Sequence, residues 1–208
     1  MKPDDEEGRP VYVVFCGVNG AGKSTFFRSG FWRESDADAF MARVNPDETI
    51  RASGKSWDSA TDQLAAGKRA LETIERLFEQ RASLNQETTL AGRGSLLRIQ
   101  RAHELGYRIR LFYIGVDRAD IALERIRHRV EAGGHDIDSS AVRRRFDASL
   151  SAFGRALDYS VEAQAFDNTD AFTRLAAWKN GTLCWMSGDG ARMHPWLARA
   201  MQSDRWRM

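Results

Sequence analysis

A glycine-rich stretch near the start of the chain constrains the fold more than any other feature. Residues 17–24 read Gly-Val-Asn-Gly-Ala-Gly-Lys-Ser and match the pattern G-x-x-x-x-G-K-[ST] at every fixed position. An apolar run of strand length, Val11 to Cys16, precedes it, and a helix-compatible stretch, Ser24 to Arg28, follows. Because glycines let the backbone curl around an anion, the loop N–H groups can face a phosphate. We therefore predict that this loop binds a nucleoside triphosphate.

Individual loop residues have separate predicted roles. Lys23 is expected to reach the β- and γ-phosphates, and the Ser24 hydroxyl is expected to ligate Mg²⁺. The other residues predicted to contact the nucleotide are Gly17, Asn19, Gly20, Ala21, Gly22 and Thr25. The alternative is a glycine-rich strand-to-helix turn with a surface lysine. The position between a strand and a helix favours phosphate binding over that alternative.

Composition excludes several classes of protein. The 208 residues include 42% hydrophobic and 29% charged residues, which is typical of a globular domain. The net charge of +2 provides no field that would attract nucleic acid, and two cysteines are too few for a disulfide scaffold. No apolar run approaches the about 18 residues of a membrane span, and the acidic N-terminus does not resemble a signal peptide. We expect one cytoplasmic domain over residues 1–208, with a flexible arm at 1–10.

Strands and helices alternate along the rest of the chain. This alternation predicts an α/β fold of the P-loop NTPase type, in which helices flank a central, mostly parallel sheet. One apolar helix face is predicted from Leu64, Leu71, Ile74, Leu77 and Phe78. The predicted helices are Trp57 to Leu84, Gly94 to Gly106, Arg118 to Glu131 and Ser139 to Leu157. The predicted strands after the first are Leu84 to Thr89, Tyr107 to Val116, Val161 to Phe166, and a Thr173 to Met186 hairpin turning at Asn180-Gly181.

Carboxylates follow two of the apolar segments. Pro46 favours an extended Asn45, so Asp47 is expected to project from a strand end, where ligands of such sheets bind. Asp47 is therefore a candidate base for a hydroxyl proton, although an Asp here can equally cap the next helix. Glu87, Thr88 and Thr89 end the next strand. They can bind a polyhydroxylated acceptor or the water shell of a metal, or they can satisfy the strand-to-helix turn.

A cationic segment contains a flexible glycine pair. Gly133 and Gly134 separate two predicted helices, and Arg129 and residues 143–145 (Arg-Arg-Arg) flank the pair. Helices joined in this way predict an arginine-bearing lid over the cleft, because guanidinium groups bind phosphate oxygens. Three consecutive arginines point in different directions, so at most two can enter the site. His135 is expected to orient this lid, since no partner ligand stands at metal-binding spacing.

Two further features are interpreted as structural. Asp117 precedes the helix that begins near Arg118, and we interpret it as the cap of that helix in preference to a metal ligand. The aromatic residues near the end of the chain lack the regular basic interleaving of a nucleic-acid platform, which favours core or edge packing. These tryptophans are Trp178, Trp185, Trp196 and Trp206.

Taken in order, the motifs resemble those of the zeta-toxin family of P-loop kinases. They read GVNGAGKST, NPDE, ETTL, RVEAGGHDI with a downstream RRRF, and FDN, and they extend from Val11 to Asn168. The resemblance implies ATP- and Mg²⁺-dependent phosphotransfer to an alcohol group, typically the 3′-hydroxyl of UDP-N-acetylglucosamine. It also implies a toxin whose activity an antitoxin protein holds in check.

The resemblance carries over to individual residues. Glu87 and Thr89 stand where the family holds its sugar acceptor. The implied catalytic residues are Lys23, the base Asp47, Arg129, and one of Arg144 or Arg145. Two alternatives stay open at this point. One is a kinase of another small hydroxylated acceptor, such as a nucleoside, an antibiotic or another sugar, and the other is a non-catalytic ATP-gated binding protein.

Overall fold

A computed structural model describes residues 8–52, 59–188 and 194–201, and its central strand is the one that precedes the glycine-rich loop. Strand β1 (Val11–Cys16) lies between β3 (Leu84–Thr88) and β4 (Arg108–Gly115) and runs parallel to both. Its residues after Val11 are all buried. Both faces of β1 are covered because its side chains are apolar on each, as the sequence predicts for a central strand.

The sheet has seven strands in the order β2-β3-β1-β4-β5-β6-β7. Strands β2 (Ala42–Val44) to β5 (Glu162–Asp167) pair in parallel, and β6 (Thr173–Lys179) and β7 (Thr182–Met186) continue the sheet as an antiparallel hairpin. The hairpin turns at Asn180 and Gly181, whose φ values of 49° and 73° suit a two-residue turn. The predicted mostly parallel sheet is confirmed, and its hairpin turns where the sequence indicates.

Helices connect the parallel strands. Short 3₁₀ segments occupy Asp36–Phe40 and Leu157–Tyr159. The α-helices are α1 (Lys23–Ser29), α2 (Pro46–Ala52), α3 (Ala60–Glu79), α4 (Arg93–Glu104), α5 (Ala119–Glu131), α6 (Ser139–Ala156) and α7 (Pro195–Met201). The predicted beginning of α3 at Trp57 lies outside the described residues. Within the described ranges, no helix combines the length and apolar character needed to cross a bilayer.

The apolar face of α3 divides into two parts. Ile74, Leu77 and Phe78 are buried against the sheet, but Leu64 is 76% exposed and Leu71 is 42% exposed. The prediction of one continuous buried face is therefore wrong for Leu64 and Leu71. The reason is that residues 63–71 of α3 border a cleft, which both leucines line.

The C-terminal aromatic residues pack as the sequence indicates. Trp178 and Trp196 are buried in the core, and Trp185 lies under the guanidinium of Arg174 at 4.5 Å. Trp206 lies outside the described residues. Of the predicted flexible arm, residues 1–7 also lie outside them, whereas Arg9 Nε donates to the Gly106 carbonyl at 2.8 Å. That hydrogen bond ties the end of the arm to the sheet.

The interpretation of Asp117 as a helix cap is wrong. The N-cap residue of α5 is Arg118, and no side chain caps this helix. The Asp117 carboxylate instead lies 3.0 Å from His194 Nδ1, next to the N-terminus of α7, while its backbone N–H donates to the Thr169 hydroxyl at 3.0 Å. The Asp117 side chain therefore contacts His194, which is 77 positions away in the chain, and does not cap α5.

Candidate active site

The glycine-rich loop joins β1 to α1, and three of its residues require glycine. Gly17, Gly20 and Gly22 have φ values of 137°, 82° and 101°, a region that other L-residues rarely adopt. A Cβ atom would also overlap a backbone carbonyl of β4 at Gly17, a carbonyl of α5 at Gly20, and the Asn168 amide at Gly22. Backbone conformation and lack of space thus both exclude a side chain at these positions.

Contacts from the loop itself and from the segment after β5 hold the loop in place. Lys23 Nζ donates to the Val18 carbonyl at 2.9 Å, and the Ala21 N–H donates to the same oxygen at 3.2 Å. Asn168 Nδ2 donates to the Ala21 carbonyl at 2.8 Å. In the sequence, Asn168 is the last residue of the FDN motif and has no predicted role. The structure shows that it buttresses the loop.

Charged residues from three elements surround Lys23. Burial lowers the pKa of Lys23 below its ordinary value, and the carboxylates of Glu87 and Asp47 oppose this effect. Arg129 lowers the Lys23 pKa further through like-charge repulsion. The predicted phosphate-binding lysine, the predicted base, an acceptor residue and a lid arginine are therefore close enough to act on one another electrostatically.

Glu87 faces the loop serine. Ser24 Oγ donates to Glu87 Oε2 at 2.8 Å, and Arg43 forms an ion pair with the other carboxylate oxygen. The same guanidinium pairs with Glu48 at 2.8 Å and stacks 3.4 Å above the ring of Phe27. Arg43, which sequence analysis did not single out, thus fixes the Glu87 carboxylate. A hydroxyl and a carboxylate placed together suit a hard divalent cation, so Ser24 and Glu87 are the residues that could hold Mg²⁺.

Asp47 lies in the first turn of α2, directly beyond the carboxyl end of β2. Its backbone N–H donates to Asn45 Oδ1 at 3.0 Å, so Asn45 provides the side-chain cap of α2. The Asp47 side chain lines the cleft together with Lys23. This arrangement favours the reactive interpretation of Asp47 over the capping one.

The two threonines after Glu87 have different surroundings. Thr88 Oγ1 lies 3.0 Å from Ser95 Oγ and accepts from the Leu90 N–H at 3.1 Å. Thr88 therefore organises the turn into α4, although it also lines the cleft. Thr89 lines the cleft at the same strand end.

The glycine pair folds the chain back onto Arg129. One Arg129 nitrogen donates to the His135 carbonyl at 2.9 Å and lies 3.2 Å from His135 Nε2. A Cβ atom at Gly134 would overlap the Arg129 side chain, and Gly133 has a φ of 83°. The sharp turn thus holds Arg129 at the cleft beside His135.

The three consecutive arginines of α6 point in different directions. Arg145 donates to Asn19 Oδ1 of the loop at 3.0 Å. Arg143 forms an exposed ion pair with Asp120 at 2.7 Å. Arg144 is exposed, and its charge acts on Asp138 instead of on the loop. The structure therefore brings Arg145 to the loop and leaves Arg143 and Arg144 on the outer surface.

Two cleft residues carry no sequence signal that we recognised. Arg125 lies one helical turn before Arg129, and it donates to the Thr169 carbonyl at 2.9 Å. Its other terminal nitrogen is buried without a hydrogen-bond partner among the described residues. Phe172 lines the same part of the cleft, next to Gly22. Neither residue belongs to a sequence motif. Their position near the loop follows only from the tertiary structure.

Lys23, Asp47, Glu87, Arg125 and Arg129 line one cleft of about 1500 Å³. A site for one small ligand typically measures about 300–1000 Å³. The loop, α1 and α5 form one part of the cleft, and α2, α3 and the end of β3 form the other. The cleft therefore has room for two ligands side by side.

A parallel sheet with a G-x-x-x-x-G-K-S loop after its central strand defines the P-loop NTPase fold, and this confirms the fold predicted from sequence. The chain belongs to the AAA_33 family, described as AAA domain, whose model matches residues 13–156. It is 31% identical over 137 residues to an uncharacterized protein of Haemophilus influenzae, which covers 64% of this chain and 91% of that protein.

Solved structures with the same fold include toxin–antitoxin and kinase proteins. The AvrRxo1-ORF1:-ORF2 structure with ATP has a TM-score of 0.71 at 18% identity, over 96% of this chain and 67% of that one. The PezAT toxin–antitoxin system of Streptococcus pneumoniae has a TM-score of 0.58 at 14% identity. The match covers 95% of this chain and 89% of that one. A putative kinase from Chloroflexus aurantiacus has a TM-score of 0.51 at 18% identity. The match covers 66% of this chain and 80% of that one. At these identities the likeness extends to the fold.

Crowding between Gly22 and Asn168 predicts a measurable coupling. We expect Gly22→Ala to lower the free energy of unfolding by about 1–3 kcal/mol, because the new Cβ meets the Asn168 amide at a positive φ. Adding Asn168→Ala removes the overlap, so the double variant should lose less than the sum of the two single variants, by about 0.5–3 kcal/mol. Urea unfolding of the four proteins measures this coupling, and strict additivity would contradict the proposed packing.

Proposed function

We propose that this protein is a kinase that transfers the γ-phosphate of ATP to a hydroxyl of a UDP-activated amino sugar, such as UDP-N-acetylglucosamine. The observation that carries the proposal is that Lys23, Asp47, Glu87 and Arg129 line one cleft, where the charges of the last three act on Lys23. The zeta-toxin-like motif order supports the acceptor class. Among structures that share the fold, the AvrRxo1 structure with ATP adds support for the nucleotide, and the putative kinase from Chloroflexus aurantiacus adds support for the reaction type.

At the phosphate end, the protein supplies positive charge. Lys23, the loop N–H groups and Arg129 neutralise the charge that spreads over the moving phosphoryl oxygens, and Arg145 holds the loop through Asn19. Ser24 and Glu87 would hold Mg²⁺, which neutralises β- and γ-phosphate oxygens when bound. Arg43 keeps the Glu87 carboxylate turned toward that position.

At the acceptor end, Asp47 takes the proton. The acceptor oxygen forms a bond to the γ-phosphorus while the bond from that phosphorus to the bridging oxygen of ADP breaks. The hydroxyl proton passes to the Asp47 carboxylate, and ADP leaves. Because Asp47 begins a helix capped by Asn45, its backbone is fixed while the carboxylate faces the acceptor.

Beside the loop, Arg125 and Phe172 provide a planar cation and an aromatic ring. Such a pair suits the flat base of a nucleotide, which stacks on aromatic and guanidinium surfaces. We assign the adenine to this part of the cleft. A partner antitoxin protein is also part of the proposal, supported by the PezAT toxin–antitoxin system.

Replacing the proposed base separates binding from transfer. We expect Asp47→Asn to lower the rate of transfer to UDP-N-acetylglucosamine by about 10²–10⁴-fold, because the proton acceptor is lost. ATP affinity should stay within about 2-fold, since the phosphate contacts remain. Mass spectrometry of the phosphorylated sugar nucleotide and a fluorescent ATP-analogue titration measure the two effects. Asp147→Asn, an exposed carboxylate on α6, is the control. Transfer at the wild-type rate by Asp47→Asn would rule out this base.

Two arginines of α5 provide a matched pair. Arg129 faces the cleft, whereas Arg127 is exposed and pairs with Glu124 at 3.7 Å. We expect Arg129→Ala to lower kcat by about 10³-fold or more with a smaller change in ATP affinity, because its charge acts mainly on the transferring phosphoryl group. Arg127→Ala should transfer phosphate normally. Equal effects of the two substitutions in steady-state kinetics would contradict the role of Arg129.

A further inference from the structure

One wall of the cleft is built from elements that carry none of the phosphate-loop residues. It combines apolar, polar and cationic side chains of α3, β3 and α4, and it consists of Leu64, Gly67, Lys68, Leu71, Gln86 and Arg98. We propose that this wall binds a phosphate group of the acceptor through Arg98. The inference rests on the proposed function, since it assumes that the acceptor hydroxyl meets ATP in this cleft.

Arg98 has polar neighbours but no counter-charge. Its Nη2 donates to Ser95 Oγ at 3.2 Å, and its guanidinium interacts with the hydroxyl of the buried Tyr12. Its Nε is buried without a hydrogen-bond partner, and no carboxylate forms an ion pair with it within residues 8–52, 59–188 and 194–201. A half-buried cation without an anion is costly, so Arg98 is suited to an anionic ligand.

The geometry of the group favours phosphate. A guanidinium presents a planar fork of donors that matches two phosphate oxygens, and Tyr12 and Ser95 hold this fork from the protein side. Lys68 adds a second cation to the same wall, on the exposed surface of α3, where it lies 3.8 Å from the Glu72 carboxylate. Two cations at one wall are better suited to bind the phosphates of a sugar nucleotide than to bind a neutral alcohol.

Gly67 leaves room for the rest of the acceptor. It lies in the interior of α3, where glycine weakens a helix. Apart from its chain neighbours and the backbone of its own helix, no atom lies within 4 Å of the position of its missing Cβ. Packing within the protein therefore does not require glycine there. The gap opens into the cleft between the exposed side chains of Leu64 and Leu71, which provide apolar surface for a ring.

A binding experiment tests the assignment. The whole chain, saturated with Mg²⁺ and a non-hydrolysable ATP analogue, is titrated calorimetrically with UDP-N-acetylglucosamine, N-acetylglucosamine 1-phosphate and neutral N-acetylglucosamine. We expect Arg98→Gln to weaken the two phosphate-bearing compounds by about 10- to 100-fold and to leave the neutral sugar unchanged. Arg98→Lys should lose less affinity for these two compounds. Arg93→Gln, an exposed arginine of the same helix, is the control and should bind as wild type.

A second variant tests the wall without touching Arg98. Gly67→Leu has space and favours the helix, so it should raise the melting temperature while it weakens UDP-N-acetylglucosamine binding by at least about 10-fold. Binding of the ATP analogue should not change. Unaltered acceptor binding by Gly67→Leu would show that the acceptor lies elsewhere.

The outcomes separate the two proposals. Equal binding of phosphate-bearing and neutral compounds by wild type, or full binding by Arg98→Gln, overturns the phosphate subsite even where transfer proceeds. Failure of every phosphate-bearing compound to bind overturns it as well. Arg98-dependent binding of UDP-N-acetylglucosamine without any transferred phosphate supports the subsite and contradicts the proposed kinase activity alone.

Discussion

The site depends on close packing around the glycines of the loop. A carbonyl of β4 occupies the space beside Gly17, a carbonyl of α5 lies beside Gly20, and the Asn168 amide lies beside Gly22. These neighbours come from parts of the chain about a hundred residues or more downstream, so assembling the sheet also shapes the loop. The loop amides are therefore oriented by the fold before any anion arrives, which is the condition for strong electrostatic binding.

Charge balance connects this loop to the rest of the cleft. Burial disfavours the charged form of Lys23, while Glu87 and Asp47 favour it, and Glu87 is itself fixed by Arg43 and Ser24. A triphosphate adds negative charge beside Lys23, so its binding should raise the Lys23 pKa toward the ordinary value. The same anion would relieve the repulsion between Lys23 and Arg129. Arg129 and the loop lysine thus become compatible neighbours when phosphate lies between them.

Much of the fold could be predicted because local patterns determine it. The apolar run at β1 and the Asn180-Gly181 turn are both visible in a few consecutive residues. Features that depend on distant contacts could not be predicted. Asp117 pairs with His194, and Leu64 faces a cleft although its periodicity matches that of buried leucines. For the site, motifs identified the loop, but Arg43 and Arg125 lie outside the motifs, and their roles depend on tertiary contacts with Glu48 and Glu87 and with Thr169.

The sequence specifies the phosphate-handling part of the site more directly than the proposed acceptor wall. Residues that handle phosphate lie in short motifs whose positions follow from strand ends, so the reaction type can be read from the sequence. The proposed acceptor wall is assembled from α3, β3 and α4, and Gly67 and Arg98 stand alone in otherwise ordinary amphipathic helices. Substitutions there leave the loop packing untouched, because they share no partners with Gly17, Gly20 or Gly22. One P-loop scaffold could therefore keep its phosphate chemistry while the proposed wall determined which hydroxyl reaches it.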